Sequence, residues 1–222
     1  PLGWWWLGLG LGVTWISILV NAWAWRVLLT WLRHHPDGVA VVPLFLRTNL
    51  LKYLPGGVWH LVERLRVLRP QIGGGTALAV VILDPLLIAS AAVLLVLTGG
   101  WQNGLLLISP IPSLLMLPRW REPILRRLER SKASQFQAVG EAPLDGEPLG
   151  SGRRGYPWIP LVWQLGFVLT RFVGFFCCVQ AFGLRQPNVL LWLAAFSLAY
   201  AVGLVVPGAP GGLGVFETTL LL

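Results

Sequence analysis

Long apolar runs alternate with short polar joints along the chain, the pattern of several helices that each cross a bilayer. A spanning helix needs roughly 20 predominantly apolar residues. Leu2 to about Leu29 meets that requirement, with Arg26 near its end. Thr76 to Leu97 meets it too, and Asp84 with Pro85 is expected to interrupt it. Trp101 to Leu117 is shorter and carries Pro110 and Pro112, which predicts a kink. Tyr156 to Phe182 qualifies with Arg171 near its middle, and Asn188 to Val206 is the cleanest of the five. The expected fold class is all-α: a polytopic helical membrane protein forming a single transmembrane domain over 1–222.

Two segments break the helical pattern. Val39 to Leu54 is apolar but carries Arg47, Asn49 and Lys52, and stops at Pro55-Gly56-Gly57. The second runs Pro207-Gly208-Ala209-Pro210-Gly211-Gly212-Leu213-Gly214, followed by Val215, Phe216 and Glu217. Neither suits a regular lipid-facing helix, because Pro and Gly free backbone groups that hydrocarbon cannot satisfy. Broken or re-entrant helices around a cavity are the expectation.

Composition agrees with the pattern. The 222 residues are 55% hydrophobic and 12% charged, against about 25% charged in an ordinary globular domain. Mean hydropathy is +0.70. Thirteen Trp suit a membrane interface, where an indole keeps its body inward and its N–H toward the headgroups. The net charge of +8 raises nucleic acid as a partner, but the basic residues cluster beside apolar segments. The positive-inside bias and anionic headgroups explain that placement, so the expected partners are membrane phospholipids and not nucleic acid. A homo-oligomer is left open.

Between Arg119 and Lys132 lie six basic residues and two acidic ones, and a polar stretch rich in Gly and Pro follows from Gln135 to Gly155. The loops at 98–103 and 183–187 are poor in Lys and Arg. The expected topology is therefore a multi-pass protein of the plasma (inner) membrane with its 118–155 loop in the cytoplasm. The assignment requires that residues 36–69 do not cross completely. The chain begins at Pro1 and ends in the apolar run Leu220 to Leu222, which suggests a fragment of a longer protein lacking helices at one or both ends.

Arg171 lies deep in an apolar helix among Phe167, Val168, Phe172, Val173, Phe175 and Phe176. A charge at that depth costs a few kcal/mol or more unless it pairs, snorkels or faces water. A cavity role and a structural ion pair both account for it, with Asp84 and Glu217 as candidate partners. Asp84 beside Pro85 could also coordinate a cation or cap a half-helix. Glu217 falls in the first turn of a new helix, where a carboxylate caps and complements the dipole. Arg47, Lys52, Arg64, Arg66 and Arg69 bracket the Pro55-Gly56-Gly57 turn, where amides and guanidinium groups suit lipid phosphate. For Arg66 and Arg69 ordinary interfacial charges are the plainer account.

Other patterns carry no chemistry. Gly150-Ser151-Gly152-Arg153-Arg154-Gly155 matches a dinucleotide fingerprint, but no strand precedes it. His34, His35 and His60 lack metal spacing, and Cys177-Cys178 reads as packing. No nucleophile, base and acid can be assembled, so no catalytic residue, cofactor or metal is expected. Gly8 and Gly12 form a GxxxG that permits close helix packing.

Two motifs together resemble a known family. Thr48-Asn49-Leu50-Leu51-Lys52-Tyr53-Leu54-Pro55-Gly56-Gly57-Val58-Trp59-His60, followed by Arg64, resembles the N-x-x-K-Y-L-P-G segment of the lysylphosphatidylglycerol synthase transmembrane (flippase-like) family, especially its cyanobacterial branch. Pro207 to Glu217 resembles that family's P-x-x-P-G-G-L-G-x-x-E signature. The chain departs from the pattern at Asp84, where members commonly carry Glu, and it stops before the family's last helices. The resemblance implies the membrane half of such proteins, which moves lipid between leaflets, and not lysyl transfer. The leading reading is a lipid flippase or lipid-binding transporter domain, with headgroup contacts at Arg47, Asn49, Lys52, Pro55, Gly56, Gly57, Arg64 and Arg171. Asp84, Pro85, Pro210, Gly211, Gly212, Gly214 and Glu217 would then line a cavity or mark helix breaks. A membrane enzyme acting on a lipid-linked substrate and a non-transporting scaffold are the rival readings.

Overall fold

The computed structural model describes residues 3–36, 38–54, 59–99, 117, 123, 155–184, 188–205, 212 and 214–221. Among them every regular element is helical. The first helix, α1, runs Trp4–Trp31; α2 spans Val41–Asn49 and passes into a 3-10 turn at Leu50–Tyr53. Next come α3 (Trp59–Ile72) and α4 (Gly74–Val96), then α5 (Trp158–Ala181), α6 (Val189–Val205) and α7 (Val215–Leu221). The expected span at 101–117 and the 118–155 loop lie almost wholly outside the described residues.

Three helices are long and apolar enough to cross a membrane: α1, α4 with its 3-10 extension to Gly99, and α5. At 1.5 Å per residue, α1 reaches about 42 Å, beyond the ~30 Å hydrocarbon core. The α6 helix, apolar throughout, is shorter at 17 residues. By the same rise α2 reaches only about 14 Å and α3 about 21 Å, so neither crosses alone.

The centre of the bundle is α4. Ala77, Leu78, Ala79, Val80, Val81, Ile82 and Leu83 are all buried in succession, which happens only when a helix is surrounded. Packed on it are α3, α5 and α6. The helix continues through Pro85, where the sequence pattern predicts an interruption. Proline removes one backbone donor and crowds the preceding turn, and a helix packed on all sides holds its course regardless. Gly73, at φ +81°, makes the sharp joint between α3 and α4 that a side chain would strain.

Against α5, α1 runs antiparallel: the Gly3 N–H donates to the Ala181 carbonyl at 3.2 Å, and further along Arg171 meets Ser17. Between these points Gly10 and Gly174 let the two backbones touch. A Cβ on Gly10 would sit 2.9 Å from the Gly174 carbonyl oxygen, and one on Gly174 would sit 2.5 Å from Thr14 Oγ1. Cys177 and Cys178 lie opposite Gly10, in the packing role expected of them. The GxxxG pair does not make this crossing, because Gly8 and Gly12 point into open space. Two residues of helix turn a position through about 200°, so Gly10 faces α5 when they do not.

The outer flank of α1 exposes Trp4, Trp5, Leu9, Leu11, Trp15, Ile16, Leu19 and Trp23, and α5 exposes Trp158, Ile159, Val162, Val173. So broad an apolar surface suits lipid and not water. Since the two helices are antiparallel, Trp4 and Trp5 mark one end of the bundle and Trp158 the other, as interfacial indoles do.

Replacing Gly10 or Gly174 with Val should force α1 from α5 and cost about 1–3 kcal/mol. Gly12→Val should be near neutral. Thermal unfolding of detergent-solubilised protein checks this, and an equal loss at Gly12 would contradict the crossing described.

Candidate functional site

A buried polar cluster lies inside this apolar frame, and it begins at Arg64. The side chain is 3% exposed, midway along α3. Its Nε donates to Thr48 Oγ1 at 2.9 Å, while the Thr48 hydroxyl in turn donates to the Leu44 carbonyl at 2.8 Å. The guanidinium carbon lies 3.8 Å from the Phe45 ring centroid and 5.1 Å from that of Trp25, positions that favour a cation over the ring faces. Phe45 and Thr48 are three apart on α2 and share a face.

The remaining edge of Arg64 meets Asp84, midway along α4, at 3.5 Å from Nη1 to Oδ2. The other Asp84 oxygen accepts a shorter bond, 2.8 Å, from Gln164 Nε2 on α5. One arginine thus connects α1, α2 and α4, and its carboxylate partner carries the connection to α5. Burial pulls the Arg64 guanidinium down to about 10, against the opposing pull of Asp84, so it remains a cation at neutral pH.

Two further cations lie on neighbouring elements. Arg171 is half-buried and donates to Ser17 Oγ at 3.5 Å. Half-buried Lys52, in the 3-10 turn, has Nζ 5.1 Å from the Tyr53 ring centroid. Burial lowers the Lys52 ammonium to about 8, and the charges of Arg171 and then Arg64 add to the effect. Lys52 is thus within electrostatic reach of both guanidinium groups. Among the described residues no carboxylate comes within ion-pair distance of Lys52 or Arg171. Next to Arg171, Phe172, Phe175 and Phe196 with Tyr200 and Phe216 form an aromatic wall joining α5, α6 and α7.

Other residues singled out in the sequence fall elsewhere. Arg47 is exposed and Asn49 half-buried on α2, with no hydrogen bond to the cluster among the described residues. Glu217 is exposed and accepts the Gly214 N–H at 2.7 Å, which is the capping role, and it does not pair with Arg171. Nor does Asp84, whose cationic partner is Arg64. Gly212 is buried with φ +77°, and a Cβ there would lie 3.0 Å from the Gly203 carbonyl oxygen. Gly214 is exposed. Pro55, Gly56, Gly57, Pro210 and Gly211 lie outside the described residues. Arg66 is exposed beside Glu63 at 3.9 Å, an ordinary surface pair.

Thr48 as a ligand to Arg64, Gln164 and Ser17 were not anticipated as site residues. The available signal was a hydrogen-bonding side chain within an apolar span, which packs inward for the same reason a charge does.

Apolar spans, lipid-facing flanks and a sequestered polar core define a multi-pass helical membrane protein. Within that class the chain belongs to the family described as the lysylphosphatidylglycerol synthase TM region, whose model matches residues 1–222. That membership makes it a membrane protein of a lipid-handling family. No curated protein and no solved structure matches the chain.

Because crowding by Arg171 and Arg64 adds to burial in depressing Lys52, an anion placed among them should raise its affinity for the proton again. Above pH of about 8 binding must then take up a proton, so affinity should fall by up to tenfold per unit. Titration of the protein with an anionic short-chain phospholipid at a series of pH values checks this. Lys52→Arg should flatten the profile, and a wild-type profile already flat across that range would contradict it.

Proposed function

We propose that this chain is the membrane core of a lipid flippase or lipid-binding transporter, with the Lys52, Arg64 and Arg171 cluster receiving the headgroup. The observation that carries the reading is a buried guanidinium, Arg64, with one long carboxylate contact and the charge of Lys52 within its reach, inside a bundle with lipid-facing flanks. A zwitterionic or anionic headgroup enters hydrocarbon only where polar groups replace its water. Acyl tails can remain in the bilayer beside α1 and α5 while the headgroup occupies the polar interior.

In this reading α2, its 3-10 turn and α3 form a re-entrant element. Their lengths support it, since neither helix spans alone, and so does the burial of Arg64 at the middle of the second. Irregular backbone at such depth is tolerated where protein surrounds it. The plasma membrane is the proposed location, with the basic 118–155 loop on the cytoplasmic side.

Reconstituted full-length protein should exchange labelled anionic or aminoacylated lipids between liposome leaflets. Arg171→Ala should cut that exchange roughly tenfold or more while leaving the protein folded. Wild-type exchange in the variant would contradict the role given to Arg171, and no exchange of any lipid by folded protein would contradict the flippase reading.

A further inference from the structure

We propose that Asp84 is a built-in counter-anion which holds Arg64 while the site is empty, and that a phosphate-type anion displaces it from that guanidinium. The inference rests on the headgroup reading above and says how the site accepts its ligand.

Arg64 is unusually well held on three sides. Two ring faces and the Thr48 hydroxyl hold its guanidinium in place. The remaining contact is one long approach of 3.5 Å. A committed guanidinium–carboxylate pair closes to 2.7–2.9 Å and is often bidentate. The Asp84 carboxylate instead makes its short bond to Gln164 at 2.8 Å. Asp84 therefore neutralises Arg64 without saturating it.

Charge balance points the same way. Asp84 is the one carboxylate among the described residues paired with Arg64, and the half-buried Lys52, which feels the charges of Arg171 and Arg64, has no carboxylate of its own there. An arriving anion offsets that charge. It also competes with Asp84, because both want the same edge of Arg64 and repel each other at close range.

An orphaned donor supplies a second, independent sign of a ligand. Trp25 is fully buried, its ring lies against the Arg64 guanidinium, and its Nε1–H has no acceptor. A buried unsatisfied donor costs about 1–3 kcal/mol. An anionic oxygen bound between Arg64 and the Trp25 indole would satisfy it. The Oε1 of Gln164, also buried and unpartnered, is an acceptor. The ligand group that fits therefore presents anionic oxygen with a hydroxyl or other donor next to it. Inorganic phosphate and the phosphodiester of a hydroxylated lipid headgroup share that chemistry.

Two substitutions at Asp84 should act in opposite directions. Asp84→Asn keeps an acceptor for Gln164 and removes the competing charge, so anion affinity should rise at least about tenfold. Asp84→Glu carries the carboxylate further toward Arg64, which strengthens the competitor and should weaken binding severalfold. The assay is equilibrium binding of a fluorescent phosphatidylglycerol to full-length protein in phosphatidylcholine nanodiscs, competed with inorganic phosphate. Leaflet exchange is followed in parallel.

Tighter binding in Asp84→Asn with no effect of phosphate supports the proposal with a lipid headgroup as the ligand. Tighter binding that phosphate abolishes supports it with the free anion able to occupy the site. If the Asn variant does not fold, weakened binding in Asp84→Glu carries the same support, and unchanged or tighter binding there overturns it. Unchanged or weaker binding in folded Asp84→Asn also overturns the counter-anion role, and wild-type exchange would then leave the flippase reading standing. Folded wild-type protein that neither binds nor exchanges anionic lipid contradicts both.

Discussion

A guanidinium sealed inside an apolar bundle constrains everything around it, and here that group is Arg64. Bare, it would cost many kcal/mol, so its neighbours must supply aromatic faces, a hydroxyl and a carboxylate in fixed places. Those neighbours come from α1, α2 and α4, and Gln164 extends the network to α5. The relative placement of five helices is thus tied to satisfying one ion. Apolar packing alone would leave α2 and α3 less defined, since two helices too short to cross a bilayer have few lipid contacts to orient them.

The same constraint makes the site asymmetric. Arg64 is held closely by Thr48, Phe45 and Trp25 and at longer range by Asp84, while among the described residues Lys52 and Arg171 make neutral contacts to Tyr53 and Ser17. In the proposed reading, structural need and ligand binding are separated within one cluster: Thr48, Phe45 and Trp25 hold the arginine, and its edge toward Asp84 is the exchangeable one. The tight α1–α5 crossing at Gly10 and Gly174 serves this arrangement by bringing Ser17 to Arg171.

Much of this was legible in the sequence. Hydrophobic run length located α1, α4, α5 and α6 to within a few residues, because bilayer thickness imposes a length no other signal contradicts. Arg171, Asp84 and Lys52 stood out because a charge in an apolar run needs a reason. The pairing was not legible. Arg171 and Asp84 are both deep in spans and seemed natural partners, yet Asp84 meets Arg64, because α3 turns back against α4 through the Gly73 joint. Hydropathy also failed at α3, whose three arginines and Glu-to-Arg pattern give no sign of which charge is buried. Pro85 misled in the opposite sense, since a proline breaks a helix only where neighbours do not hold it.

The central claim is that Lys52, Arg64 and Arg171 surround a headgroup. The most direct test is a density map of the full-length protein in nanodiscs containing anionic phospholipid. The account predicts headgroup density bounded by these three cations, with Asp84 drawn away from Arg64 and still bonded to Gln164. A headgroup bound elsewhere, with the cluster closed on itself, would contradict it.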